Sequence, residues 1–123
     1  MRSADLALIL TGVLLNAVAQ LLLKAGSRVI AGVPLTFGNA WTIMERIAIN
    51  PPILGGLVCY AISVVVWILA LSRVEVSVAY PMLSIGYVVN AVAAWYLFGE
   101  ALTAQRMVGI GTIIVGVFLV ARS

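Results

Sequence analysis

The stretch "LTGVLLNAVAQLLLKAG", residues 10–26, is apolar at almost every position, yet it carries Asn16, Gln20 and Lys24 four residues apart. Four residues is slightly more than one helical turn, so the three side chains follow one side of a helix and drift by about 40° per step. An apolar run of this length reads as part of a membrane span. A polar stripe inside such a span calls for something to face: another helix, a cavity or a ligand.

The whole chain has the same character. Of its 123 residues, 64% are hydrophobic and only 9% are charged, against about 25% charged in a soluble domain. Mean hydropathy is +1.22. So short a chain has too little interior to hide that much apolar surface from water, so its solvent is a bilayer. A single cysteine, Cys59, excludes an internal disulfide framework. With no histidine, neither a metal nor another cofactor is expected, and no nucleophile–base pair can be assembled for an enzyme. The net charge of +3 is small and scattered, which suits membrane-flanking charge and not a nucleic-acid surface. "AVA" at 17–19 resembles a signal-peptide cleavage site, but the preceding "MRSAD" contains an acid and the apolar run continues to Leu23. The ordinary reading is a retained first span.

Four segments are long enough to cross a membrane: 4–26, 52–72, 77–99 and 104–121. Backbone groups at membrane depth must pair internally, so all four are helices. The link "RVEV" at 73–76 is very short, and "GEALT" at 99–103 offers a helix-ending Gly99 and a helix-starting Thr103. Both links predict antiparallel neighbours, with 77–121 forming one tight hairpin. Between the first two spans, Phe37, Trp41, Met44 and Ile47 or Ala48 fall on one face of a segment over 36–48. That pattern predicts a short amphipathic helix in the interface, before Asn50-Pro51-Pro52 starts the second span. The fold class expected is an all-α membrane protein in one domain. It has four transmembrane helices and this interfacial helix, and it acts as a dimer. Orientation is weakly specified: Arg2, Arg73 and Arg122 lie on one side, and Lys24, Arg28, Arg46 and Arg106 on the other.

Alone, Asn16 and Gln20 could serve as helix-to-helix hydrogen bonds and Lys24 as a boundary marker. The third span changes the balance. It carries Ser77, Tyr80, Ser84 and Tyr87 at helical spacing, with Asn90 to one side, and Pro81, which beyond a first turn would free a carbonyl near residue 77. Two polar-striped helices point to a shared cavity, with Tyr60 and Trp67 of the second span as an aromatic wall. On the fourth span Gly109 and Gly116 share a face, with Gly111 between them, and such small residues suit either internal packing or a dimer seam. Four spans are few to enclose a polar cavity, whereas two copies supply eight. The expected partner is therefore a second copy or a similar small chain.

"VAYPMLSIGYVVNAVAAWYLFGEALTAQRMVGIGTIIVGVFLVA", residues 78–121, resembles the second half of short proteins of the drug/metabolite transporter superfamily. The four-span layout and the position of Lys24 resemble the small multidrug resistance family. "AYPMLS" at Ala79–Ser84, followed by Glu100 before the last span, resembles the EamA-like small subunits of the aminoarabinose–undecaprenyl-phosphate flippase. The resemblance implies a bacterial inner-membrane transporter working as a dimer, antiparallel in the drug exporters, with Gly109 and Gly116 at the contact. It also implies a test. The drug exporters couple to protons through a glutamate eight residues before the lysine, and this chain has Asn16 there. Asparagine does not ionise, which disfavours that mechanism.

A lipid-linked sugar suits the residues better. Lys24, assisted by Arg28, would meet the phosphate, and Asn16, Gln20, Tyr80 and Ser84 would meet the sugar. Tyr60, Pro81 and Tyr87 complete the expected substrate-binding set, and the polyprenyl tail would stay in lipid. Two alternatives remain open from sequence. One is an exporter of hydrophobic cations, polyamines or metabolites, favoured if Glu100 reaches the cavity. The other is a non-transporting subunit that stabilises a glycosyltransferase.

Overall fold

The computed structural model describes residues 2–123, which are almost wholly helical, with no strand among them. Helix α1 (Ser3–Ser27) runs into a 3-10 turn at Arg28–Ile30. A second 3-10 turn, Phe37–Asn39, leads into α2 (Ala40–Ala48). Then follow α3 (Pro51–Leu71), α4 (Val76–Met82), α5 (Ser84–Phe98) and α6 (Ala104–Arg122). Four stretches are long and apolar enough to cross a membrane: Ser3–Ile30, Pro51–Leu71, Val76–Phe98 and Ala104–Arg122.

Local chemistry fixes the helix ends. The Asn50 side chain accepts a hydrogen bond from the Ile53 N–H at 3.1 Å, while Pro51 and Pro52 fill the first turn of α3, where no intrahelical donor is needed. Gly99 ends α5 with φ +69°, a left-handed conformation that side chains resist. Thr103 Oγ1 accepts from the Arg106 N–H at 3.1 Å and starts α6.

The third span is not one continuous helix. Pro81 is the sixth residue of α4, past the first turn, and has no N–H to offer the Ser77 carbonyl. Two residues later the helix breaks at Leu83, whose N–H donates to Tyr80 O at 3.0 Å and whose carbonyl accepts from Gly86 at 2.9 Å. These i→i+3 bonds mark a single tight turn between α4 and α5.

Packing departs from chain order. The short link between α3 and α4 suggests that spans two and three are main neighbours. Instead α1 is the hub: it lies most extensively against α3 and next against α5, and α3 meets α4 only lightly. Small residues are the reason. Gly12, Ala19 and Gly26 recur every seven residues on α1, and all three are buried. Opposite them, a Cβ on Gly56 of α3 would stand 3.0 Å from the Ala19 carbonyl oxygen and 3.1 Å from Leu23 Cγ. A Cβ on Gly26 would overlap Ile53. On the other side of α1, a Cβ on Gly86 would come within 3.2 Å of Val13 Cγ1. Ile9, Val13, Ala70, Ala79 and Met82 form the buried cluster where α1, α3 and α4 converge. At that end Asp5, only 8% exposed, faces Arg73 of the α3–α4 link at 3.8 Å.

The glycines of α6 behave differently. A Cβ at Gly109, Gly111 or Gly116 would meet no atom of this chain within 4 Å, and no residue of α6 is buried. Helix α2 is tied back by Arg46, whose Nη1 donates to Val29 O at 3.2 Å, and its Trp41 and Met44 are exposed along with Leu35 and Phe37.

Overpacking at Gly56 forces α1 and α3 apart. Gly56→Leu should lower the stability of the detergent-solubilised protein by about 1–3 kcal/mol in an unfolding titration with sodium dodecyl sulfate. Gly111→Leu should leave the midpoint unchanged.

Candidate functional site

The polar stripe of α1 divides between two clefts. The larger, about 450 Å³, lies among α1, α5, the α5–α6 link and α6. Gln20 and Lys24 enter it from α1, Tyr87, Asn90 and Phe98 from α5, Glu100 from the link and Arg106 from α6. The smaller, about 270 Å³, is lined by Gly12 and Asn16 of α1, Tyr60, Ser63 and Trp67 of α3, and Tyr80 and Leu83. The angular drift of the stripe explains the division, because by Gln20 the face has turned from α3 toward α5. A hydrogen bond from Gln20 Nε2 to Asn16 Oδ1 at 3.3 Å joins the two groups.

Charge gathers at one end of the larger cleft. Lys24 Nζ lies 3.7 Å from a Glu100 carboxylate oxygen, with the two side chains 54% and 44% exposed. A pair this exposed contributes about 0–1 kcal/mol, so it opens at little cost. Arg106 Nη1 donates to Ala101 O at 2.6 Å, leaving its other N–H groups free for further bonds. Arg28 stacks its guanidinium 4.9 Å above the Phe98 ring, which itself lines the cleft. Lys24 and Arg106 line the cleft with one carboxylate, Glu100, and Arg28 stands on Phe98 beside it, so this end is positive overall. Farther along α1 and α5, Gln20, Tyr87 and Asn90 offer uncharged donors and acceptors, and Asn90 Oδ1 is buried without a hydrogen-bond partner. The cleft can therefore hold an anion at its mouth and hydroxyl or amine groups further in.

Of the residues expected at the site, Gln20, Lys24 and Tyr87 line the larger cleft, and Asn16, Tyr60 and Tyr80 the smaller. Arg28 reaches the rim through Phe98. Pro81 and Ser84 line neither cleft; they lie on either side of the break at Leu83 between α4 and α5. Sequence reasoning missed Ser63, whose hydroxyl donates to Tyr60 O at 2.6 Å. Its three-residue spacing from Tyr60 was a usable signal. The Lys24–Glu100 pairing joins distant parts of the chain and had none.

The EamA-like transporter family matches residues 6–122. An uncharacterized protein, y4nH, of Sinorhizobium fredii is 32% identical over 123 residues, covering 99% of this chain and 98% of that one. A probable 4-amino-4-deoxy-L-arabinose-phosphoundecaprenol flippase subunit, ArnF, of Shewanella sediminis is 36% identical over 124 residues, 94% of this chain and 86% of that one. A probable subunit ArnE of the same kind from Pseudomonas aeruginosa is 34% identical over 116 residues, 94% of this chain and 91% of that one. No solved structure matches the chain. With four apolar helices of spanning length and a family match across nearly its whole length, the chain belongs to the EamA-like transporter family and is a multi-pass protein of the bacterial inner membrane.

Proposed function

We propose that this chain is a subunit of a transporter that moves a polyprenyl-phosphate-linked sugar across the bilayer. The observation that carries the reading is the larger cleft, with cations at its mouth and neutral polar groups below, set in an otherwise apolar bundle. Lys24 and Arg106, with Arg28 at the rim, hold the phosphate, and Gln20, Tyr87 and Asn90 meet the sugar. Asn16, Tyr60 and Tyr80 extend that polar surface toward α3 through the Asn16–Gln20 bond. Glu100 neutralises Lys24 while the site is empty and is displaced by the phosphate, since both compete for one ammonium. Pro81 and Ser84 act at a distance by setting the angle of α5. The segment with Trp41 and Met44 lies in the interface, where its exposed apolar side chains enter the lipid.

The test is binding in lipid nanodiscs, followed by intrinsic tryptophan fluorescence. A polyprenyl-phosphate monosaccharide should bind saturably. Lys24→Ala should weaken that binding about tenfold or more, the worth of one hydrogen bond to a charged group. Glu100→Gln should tighten it by removing the competing anion. The presence of Glu100 in the cleft favours a second reading, an exporter of hydrophobic cations. Tetraphenylphosphonium binding that is lost in Glu100→Gln, with no response to the lipid, would establish that reading instead.

Two of the relatives are named as flippase subunits, and the outward glycines of α6 support a partner on that face. The partner is a second copy, in antiparallel or parallel arrangement, or a similar small chain. Gly109→Leu combined with Gly116→Leu should reduce the assembled fraction in cross-linking from membranes while leaving the monomer folded. Unchanged assembly would remove the α6 seam.

A further inference from the structure

The cleft that holds Lys24 is one end of a longer furrow. Toward the other end of the bundle, α1, α4, α5 and α6 enclose a second cleft of about 450 Å³. Every residue lining it is apolar; Leu6 and Leu10 contribute from α1, Ile85 and Val88 from α5, and Ile113 and Val117 from α6. On α6 one face lines both clefts, passing from Arg106 and Ile110 to Ile113 and Val117. On α5 the linings interleave, with Tyr87 and Asn90 at the polar cleft and Val88 and Val89 at the apolar one, and on α1 they are separated by the stretch between Leu10 and Gln20. On α1 the outermost lining residues of the two clefts, Lys24 and Leu6, are separated by a helix length of about 27 Å, close to the ~30 Å of a bilayer's hydrocarbon layer.

The polarity of this furrow is graded: charged at one end, neutral and polar next, and purely apolar over the rest. We propose that the apolar cleft binds the hydrocarbon chain of the same lipid whose phosphate lies at Lys24. The proposal rests on the head-group reading above and extends it, because a free tail in bulk lipid would require no such groove. A phosphate fixed at the mouth directs the attached chain along the furrow, over the contact of Val13 with Gly86, into the space beside Val88 and Ile113. Burying the chain there adds affinity that a water-soluble sugar phosphate lacks, about 0.8 kcal/mol per buried methylene in membrane partitioning, and selects lipid-linked over free sugars.

The probe is farnesyl phosphate carrying a diazirine at the chain end, photolysed with the wild-type protein in phosphatidylcholine nanodiscs and mapped by mass spectrometry. Labels should fall on Leu10, Ile113 and Ile114 and be suppressed by unlabelled farnesyl phosphate. Labels spread over the exposed face of α3, at Leu57 and Val65, or insensitive to that competitor, would mean that ordinary lipid fills the groove and would overturn the proposal. Val88→Trp and Ile113→Trp should weaken farnesyl phosphate binding about tenfold or more, whereas Val65→Trp, on the outer face of α3, should not. Lys24→Ala separates the two readings. If it scatters the labels, the head and chain sites both stand. If competed labels persist in the furrow, the head-group assignment falls and the chain site stands. If binding is lost in Lys24→Ala but wild-type labels were never confined to the furrow, the chain site falls alone.

Discussion

The close approach of α1 to α3 at Ala19 and Gly56 is the contact on which the rest of the arrangement depends. With no hydrophobic drive between helices inside lipid, association relies on van der Waals fit. That fit needs glycine where one backbone meets the other, as at Gly56, where a methyl group would press on the Ala19 carbonyl. Because α3 occupies this face of α1, the face carrying Gln20 and Lys24 is left to α5 and α6. The polar cleft therefore follows from where the glycines are, before any charge is considered.

Charge then marks the two ends of the hub helix. Asp5 of α1 faces Arg73 of the α3–α4 link, and Lys24 faces Glu100 of the α5–α6 link. The two pairs differ in surroundings: Asp5 is nearly buried and keeps an oxygen without a hydrogen-bond partner, whereas both members of the second pair are about half exposed. A buried carboxylate held by one distant guanidinium is costly to separate, and an exposed pair is not. The end with Lys24 is accordingly the one suited to exchange partners, which is where the neutral polar groups also lie.

Much of this was legible in the sequence. Hydropathy located four spans, and Asn50-Pro51-Pro52, Gly99 and Thr103 marked their ends through chemistry that acts within a few residues. The stripe Asn16, Gln20, Lys24 marked the side of α1 that lines the two clefts. Its division between two clefts was not legible, because a drift of about 40° per step matters only once the neighbours are known. Gly109 and Gly116 stand out by their two-turn spacing and face away from the rest of the monomer, whereas the glycines that pack it, Gly12, Gly26, Gly56 and Gly86, are scattered over three helices and form no such pattern. The approach of α6 to α5 follows from the short link at 99–103, whereas the pairing of Lys24 with Glu100 is a long-range fact that no local pattern encodes.

The placement of acids also gives Asn16 a physical reason. Position 16 opens on a small cleft whose other lining residues, among them Tyr60, Ser63, Trp67 and Tyr80, bring no cation. A carboxylate there would be far from Lys24, which is two turns away and engaged with Glu100. At mid-helix such a charge would cost several kcal/mol or remain protonated. The amide instead accepts a hydrogen bond from Gln20 and stays neutral. Charged groups are thus confined to the ends of α1, Asp5 beside Arg73 and Lys24 beside Glu100, and the middle of the bundle offers only neutral polar groups and hydrocarbon.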